Sequence, residues 1–507
     1  MCCVAGGDEM ETASDEKRGT VADDTVFLPE TIHALATGHA GGKERGVLVV
    51  GGVDPTGGAG VFQDIKTLSL LGVRGVAAVS TVTVQNTRRV EAFEPLLTEH
   101  VREQMYAVAE ENDVTIVKTG LLPSGDLVRA VAEFVENTEA VAIVDPVLSF
   151  TAGGTVGLEV AEAYVEHLLP KTYLLTPNFA EGKMLADVFL KKKELKKNIG
   201  GIDDLASVLM EAGANNVLIK GGHGEHRGVG YGEVARDVLF MSAGERRKCG
   251  VVGESGLEFL APMLPVEFHG TGCALASLIA GFLALGEKLC NSVMRAKRFH
   301  HNLLLWGERK WSGMGDVGKR PVRPSPATSM PLVDPRFGVE KAARRFCEHV
   351  PVEYVPEVGT NIAFALPWAI RREEVAGLDG RITKGAKGPK QCGRATWGGA
   401  RHTARIVLTA MRYDPSIRCA LNIAYSEEVV ERAISMGFTV GSFSRRDEPD
   451  GGGSRTMEWG TAYAIEKMGS VPDIIYDTGG HGKEPMIRVL ARDPTRAMDI
   501  VEKLVLT

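Results

Sequence analysis

The stretch Gly46-Val-Leu-Val-Val-Gly-Gly-Val-Asp-Pro-Thr-Gly-Gly-Ala-Gly60 decides how the chain is read. It opens as a short apolar run ending in glycine, the pattern of a strand covered on both faces. A glycine-rich loop follows, then Phe62–Leu71 with apolar residues at helical spacing. Strand, loop and helix in that order put a permissive backbone turn at a helix N-terminus. Free N–H groups there can approach an anion or a ring. The loop is not a Walker A sequence, because no Gly-Lys-Ser/Thr follows, and it lacks the third glycine of a dinucleotide fingerprint. A formal Gly-x-Gly-x-x-Gly at Gly313, Gly315 and Gly318 has no strand before it and carries no weight.

Outward from this unit the same alternation continues. Val76–Val84, Val114–Val117, Val141–Val144, Tyr173–Leu175 and Val217–Ile219 read as strands. Between them Val101–Glu111, Gly125–Asn137 and Ile202–Ala212 read as helices, followed by Cys273–Leu285 and Asn291–Trp311. Apolar strands alternating with amphipathic helices predict an α/β fold with a mostly parallel sheet. The stretch from Ser312 to Arg336 breaks the pattern with Pro321, Pro324, Pro326, Pro331 and Pro335, and reads as a linker. After a short helix, Val339–His349, a second alternation runs through Asn361–Leu366, Ala400–Met411, Cys419–Ile423, Glu427–Met436, Phe438–Phe443, Glu458–Met468, Ile474–Tyr476 and Met486–Leu490 to a last helix. The expected organisation is an extension over 1–44, a domain over 45–312, a Pro/Gly-rich linker over 313–337, and a smaller α/β domain over 338–507.

Composition narrows the functional classes. Hydrophobic residues make up 44% of the 507 and charged residues 24%, as in globular protein. The 60 glycines exceed the usual share of about 7% with no collagen period, so the excess belongs to loops. A net charge of −7 offers no basic footprint for nucleic acid. The run Lys191–Lys197 reads as a solvated helix face. Eight cysteines without a C-x-x-C pair point to a reducing, cytoplasmic setting. The longest apolar stretch, Cys273–Leu285, is too short to span a membrane, and the acidic first residues lack a signal-peptide core, so 1–44 is expected to be disordered.

Four further motifs carry chemistry. His269-Gly-Thr-Gly-Cys273 enters the apolar helix, where converging N–H groups suit an anion and the helix dipole would lower the Cys273 thiol pKa; a structural cysteine is the alternative. Val144-Asp-Pro-Val147 and Thr176-Pro-Asn-Phe-Ala-Glu181 put Asp145, Asn178 and Glu181 at strand C-terminal ends, where open α/β sheets bind ligands. Oxygen ligands of this kind suit Mg²⁺ bridging phosphates, and helix capping is the plain alternative for Asn178 and Glu181. Ile219-Lys220-Gly-Gly-His223 puts Lys220 at another strand end, within reach of a phosphate.

In order, GGVDPTGGAGVFQDIKTLSLLG, TVQNT, VKTGLL, VDPV, TPNFAE, IKGGH and HGTGC closely resemble the hydroxymethylpyrimidine/phosphomethylpyrimidine kinases of thiamine biosynthesis, members of the ribokinase-like superfamily. The resemblance covers roughly 46–305 and implies a three-layer α/β/α sandwich. It implies that Gly52, Asp54 and Gln85 line the pyrimidine pocket and that Leu121 replaces a pocket methionine. It makes the turn with Gly270 and Gly272 the anion hole, and Cys273 the general base. Lys220 would stand near the phosphates, and Asp145, Asn178 and Glu181 on the Mg–ATP side, through water. ATP and Mg²⁺ are the implied cofactors. Such kinases are often dimeric, so a homodimer is expected.

The second part holds Glu357-Val-Gly-Thr-Asn-Ile362, Gly380-Arg-Ile382, Gly399-Ala-Arg-His-Thr-Ala-Arg405, Asn422-Ile-Ala-Tyr-Ser426, Thr456-Met-Glu-Trp-Gly460 and Asp477-Thr-Gly-Gly-His-Gly-Lys-Glu-Pro485. Arg381, Arg401, His402, Arg405 and Lys483 are candidate phosphate contacts, with surface ion pairs as the plain alternative. Gly479, Gly480 and Gly482 could form an anion nest. These motifs resemble the archaeal-type thiamine-phosphate synthase domain, whose fold is similar to the class II aldolase (AraD-like) architecture. The resemblance implies coupling of a pyrimidine pyrophosphate to a thiazole phosphate, with Arg381, His402, Arg405 and Lys483 stabilising the leaving pyrophosphate and Glu458 a further candidate. Two other readings stay open. The second domain could be a non-catalytic thiamine-phosphate sensor, or the kinase could serve another alcohol such as pyridoxal or hydroxyethylthiazole.

Overall fold

The computed structural model describes residues 45–86, 89–148, 157–221, 234–253, 255–311, 325–327, 334–445, 456–480 and 482–506. The extension 1–44, most of the linker, Thr87 of TVQNT, Gly222 and His223 of IKGGH, and His481 lie outside the described residues.

The opening stretch becomes β1 (Arg45–Val53), a loop, and α1 (Gly60–Leu70). Its strand is covered on both faces, as Val47, Leu48, Val49 and Val50 are all at 0% exposure. Successive side chains point to opposite faces. Val47 and Val49 join one apolar cluster while Leu48 and Val50 join another. Around β1 the chain lays down β2 (Arg74–Gln85), β3 (Val90–Pro95), β4 (Asp113–Thr119), β5 (Val141–Val144), β6 (Thr172–Leu175), β7 (Asn216–Ile219), β8 (Val234–Met241) and β9 (Leu257–Pro262) in the order β3-β2-β1-β4-β5-β6-β7-β8-β9. Strands β2, β1, β4, β5, β6 and β7 run parallel. The edges β3, β8 and β9 are antiparallel additions.

Helices α2 (Thr98–Glu111), α3 (Gly125–Thr138), α4 (Leu158–Ala163), α5 (Phe179–Lys192) and α6 (Ile202–Glu211) cover one face, and α7 (Ala243–Cys249) follows β8. Helices α1, α8 (Thr271–Ala284) and α9 (Leu289–Trp311) cover the other. This is a three-layer α/β/α sandwich. Because its central strands are parallel, the loops after β1, β4, β5, β6 and β7 all open at one end of the sheet.

The second domain begins with α10 (Pro335–His349), capped by Asp334 and with proline in its first turn. The helix therefore starts inside the stretch read as linker. A sheet follows from β10 (Ile362–Ala365), β11 (Val375–Leu378), β14 (Ala395–Trp397), β15 (Cys419–Ala424), β16 (Val440–Ser442), β17 (Ile474–Asp477) and β18 (Met486–Ala491), ordered β14-β11-β10-β15-β18-β17-β16. Only β16 and β17 pair in parallel. A hairpin of β12 (Ile382–Gly385) and β13 (Gly388–Gln391) stands beside it. Helices α10, α12 (Glu427–Ser435) and α14 (Pro494–Val505) pack on one face, and α11 (Arg401–Tyr413) and α13 (Thr456–Met468) on the other. The strand expected over Phe438–Phe443 shortens to Val440–Ser442. Strand β3 escapes hydropathy reading because five of its six residues face water, and β12 and β13 because each has only four residues of mixed character. Among the described residues no helix is long and apolar enough to cross a membrane.

Candidate active site

At the open end of the first sheet three glycine-containing turns meet. Gly270, the N-cap of α8, has φ +77°, and a Cβ there would stand 1.8 Å from the Gly58 carbonyl oxygen. Only glycine lets the 269–273 turn close onto the 54–60 loop. The Gly60 backbone in turn hydrogen-bonds to the Cys273 sulfur. At Gly52 a Cβ would touch Thr81 and the Leu121 side chain at 3.5–3.6 Å. The Ser80 hydroxyl donates to the Leu121 carbonyl at 2.7 Å and fixes that wall.

Asp54 is almost fully buried and ordered by three neighbours. Its carboxylate accepts from the Thr56 N–H (2.9 Å) and hydroxyl (2.8 Å), and His269 Nε2 lies 2.8 Å from Oδ2. Burial works against its charge, but hydrogen bonds from His269, Thr56 and Gln85 outweigh it and hold the carboxyl at about 2. Gly52 and Leu121 are therefore neighbours, and Asp54 and Gln85 are hydrogen-bonded to each other.

Beyond the 269–273 turn lie paired charges. Lys220 Nζ donates to Asp145 Oδ1 at 2.7 Å. A Cβ on Gly272 would lie 3.2 Å from that Nζ and 3.5 Å from Asp145 Oδ2. The 270–272 turn thus abuts the Lys220–Asp145 pair directly. Burial would strip the lysine of its proton, but Asp145 and Glu181 hold it on. Asn178 and Glu181 form a full capping box on α5, with Glu181 N–H to Asn178 Oδ1 and Asn178 N–H to Glu181 Oε2, both at 2.8 Å. The plain reading of these two residues is realised. Glu181 nonetheless stays within electrostatic reach of Lys220 and Asp145, and burial raises its carboxyl pKa. Among the described residues no group of three or more His, Cys, Asp or Glu forms a ready metal cage. Asp145 after β5 and Glu181 in the first turn of α5 are neighbouring carboxylates that do fit Mg²⁺ carried in on phosphate oxygens, because that ion keeps waters and takes one or two protein ligands.

One expectation reverses. Cys273 does sit in the first turn of α8, yet its thiol is pushed up to about 11, not lowered. It is only partly exposed and closely packed, and desolvation outweighs the pull of Lys118. Sequence reading missed that lysine. Lys118 on β4 and Asp64 on α1 form a fully buried pair, with Nζ 3.0 and 2.9 Å from the two carboxylate oxygens. The Ser277 hydroxyl donates to Asp64 at 2.7 Å. Ser277 lies one helical turn beyond Cys273, so this charged pair sits beneath the catalytic candidate.

A second cluster forms at one end of the second sheet. Two buried asparagines stitch three strand ends together there. Asn361 exchanges hydrogen bonds with Leu378 (2.7 and 3.0 Å) and donates its N–H to Asn422 Oδ1 (2.8 Å). Asn422 donates to the Gly359 carbonyl at 3.1 Å. Beside them Arg381 adopts φ +62°, a left-handed conformation costly outside glycine, and its guanidinium donates to the Val358 carbonyl. His402 opens α11 within electrostatic reach of Arg381, Arg405 and Arg401; desolvation, then those cations, lowers its pKa. Arg405 stands 3.8 Å from Glu458. The exposed Lys483 rides a turn tied to this cluster through Glu484, whose carboxylate accepts the Glu357 and Val358 N–H groups. Under that turn Asp477 accepts Arg445 Nε (2.7 Å) and Arg488 (2.7 Å), neither of them singled out in the sequence.

The known proteins divide the chain at the same place. Residues 54–317 match the phosphomethylpyrimidine kinase family, and 338–503 match thiamine-phosphate synthase ThiN. Across 464 residues, the bifunctional thiamine biosynthesis protein ThiDN of Methanocaldococcus jannaschii is 32% identical, covering 90% of this chain and 97% of the relative. The chain belongs to the ThiDN family. Its kinase half is also 33% identical to the hydroxymethylpyrimidine/phosphomethylpyrimidine kinase of Rhizobium meliloti, over 53% of this chain and 93% of that one. For the ThiN half, a solved C-terminal domain of a phosphomethylpyrimidine kinase is 39% identical, covering 34% of this chain and 98% of that one, at a TM-score of 0.33. The Asp54–His269 wall and the Lys220–Asp145 pair thus lie in the kinase half, and the Arg381–His402–Arg405 cluster in the ThiN half.

Proposed function

We propose that this chain makes thiamine phosphate in two stages. The kinase half phosphorylates 4-amino-5-hydroxymethyl-2-methylpyrimidine and then its monophosphate, using ATP with Mg²⁺. The ThiN half joins the resulting pyrophosphate to hydroxyethylthiazole phosphate and releases pyrophosphate. The observation that carries this reading is the likeness to a bifunctional relative along nearly the whole chain. In this reading Gly52, Asp54, Gln85 and Leu121 hold the ring. Cys273, acting as its thiolate, takes the proton of the attacking hydroxyl as its oxygen bonds to the γ-phosphorus and ADP leaves. N–H groups around Gly270 and Gly272, with Lys220, neutralise the transferred phosphoryl group. Asp145 and Glu181 would hold Mg²⁺, which supplies charge neutralisation on the ATP phosphates when bound; Asn178 fixes Glu181 from its capping position.

In the ThiN half the thiazole nitrogen attacks the pyrimidine methylene carbon as its C–O bond to pyrophosphate breaks. Arg381, His402, Arg405 and Lys483 take up the leaving charge. Arg fits this role because its planar fork matches phosphate oxygens. The same reading has the chain working in the cytoplasm as a homodimer on small molecules, without nucleic acid or membrane.

Purified protein given the pyrimidine alcohol, thiazole phosphate and Mg–ATP should make thiamine phosphate, and without the thiazole phosphate should stop at the pyrimidine pyrophosphate. Phosphorylation of pyridoxal at a higher kcat/KM than the pyrimidine would overturn the kinase half. Tight binding of thiamine phosphate without turnover would overturn the ThiN half.

A further inference from the structure

Helix α9 is buried between the two halves, and it is polar on both sides. Arg295, Lys297, Arg298, His300, His301 and Asn302 are each at most 9% exposed. Burying such groups is costly unless partners meet them, and most of these are met, although Arg295 Nε and His300 Nε2 find none. Toward the ThiN half, Arg298 donates to the carbonyls of Ala369 and of Leu408, the latter at 3.4 Å on α11. Asn302 donates to the Pro415 carbonyl at 3.1 Å. Arg295 pairs with Glu374 at 2.6 Å. The Phe299 ring lies on Trp368, with centroids 4.7 Å apart. Positions 295, 298, 299 and 302 follow the spacing of one helix face. Backbone carbonyls of a folded domain are rigid acceptors, so this face fixes where α9 lies.

Toward the kinase half, α9 touches the phosphoryl site at two places. Lys297 Nζ donates to Asp237 Oδ2 at 2.6 Å, and Asp237 Oδ1 accepts the Gly221 N–H at 3.0 Å, next to Lys220. His300 packs against the Thr271 backbone, between Gly270 and Gly272. A third contact reaches the pyrimidine loop. Ala327 donates its N–H to the Leu303 carbonyl at 3.0 Å, and a Cβ on Gly58 would stand 2.3 Å from Ser325 Oγ.

We propose that the docked ThiN half positions the phosphoryl-transfer turn of the kinase, with α9 as the element that transmits the position. Lys297 and His300 are positioning residues, acting on substrate only through Lys220 and the 270–272 turn. The proposal rests on the kinase reading above. Phosphoryl transfer depends on placement, so undocking should lower kcat and leave the pyrimidine KM little changed.

The test places a protease site in the linker of the full chain and cleaves it after folding. Cleaved wild type should elute as one particle with undiminished kinase turnover. Trp368→Ala, remote from both sites, should let the fragments part and lower kcat per folded molecule about tenfold. Trp368→Phe should restore both. Arg298→Met, from the other side of the interface, should repeat the loss. The coupling is overturned if separated fragments phosphorylate the pyrimidine at the intact rate, or if neither Trp368→Ala nor Arg298→Met separates them. Failure of the kinase reading looks different, since intact wild type would then show no turnover at all.

Discussion

The two halves handle charge in opposite ways. In the kinase half the charges at the site are enclosed: Lys118 pairs with Asp64, Lys220 pairs with Asp145, and Asp54 is hydrogen-bonded to His269. In the ThiN half Arg381, Arg401, His402 and Lys483 stand exposed, while the deeper Arg445–Asp477–Arg488 set is enclosed. Buried pairs are expensive to desolvate but barely reorganise during reaction. They suit a site that must hold one small ring and aim one phosphoryl group. An exposed cationic rim suits two phosphorylated substrates that arrive hydrated and a pyrophosphate that must leave. The contrast teaches that the kinase half spends structure on placement, and the ThiN half on charge supply.

If that is right, Cys273→Ala should cost the most, cutting kinase turnover by about 10²–10⁴ while coupling from supplied pyrimidine pyrophosphate continues. Because burial raises the wild-type thiol, kcat/KM should also climb with pH from about 6 to about 8.5, and the substitution should flatten that climb. An unchanged rate would make Cys273 structural. Next in size, Arg381→Ala or His402→Ala should slow coupling by about 10²–10³, the usual cost of one donor to a developing charge, with kinase turnover unmoved. Loss of kinase turnover in either variant would show that the two sites are not chemically separate.

What could be read in the sequence follows the same division. The glycines of the 51–60 and 269–273 turns are legible because backbone contact there tolerates no side chain, as at Gly270. The parallel core was legible because strands such as Val47–Val50 are apolar without interruption. Asp64 and Lys118 were not. Each reads as an ordinary charge on an element, and only folding brings residues 54 positions apart within 3.0 Å. His269 was quoted for its glycine neighbours, while its partner Asp54 lies 215 positions away. The thiol shift was misjudged because a helix terminus shows in a sequence and desolvation does not. The polar residues of α9 look like a solvated face for the same reason.

Those α9 residues give an effect on stability and not on rate, and it separates the interface from both sites. Burial lowers His300 to about 3 and His301 to about 4, against 6.5 for free histidine. Both are therefore neutral in the fold at pH values where the unfolded chain would bind a proton. Their stabilising contribution is complete above about 6.5 and is lost as pH falls toward the folded values, at about 1.4 kcal/mol per pH unit for each. Asp54 contributes in the same direction only lower down, because its folded value of about 2 lies below the ordinary 3.8. Acid sensitivity should thus begin near pH 6 and not near pH 4. Urea midpoints measured between pH 7 and 4 check this, with His301→Gln in parallel. His301 faces Asp414 at 3.8 Å, which offsets part of its burial, while Lys297 adds to it. The variant should lose close to one proton's worth of slope. If its slope matches wild type, His301 is not held neutral, and the interface between the halves is wetter than its burial implies.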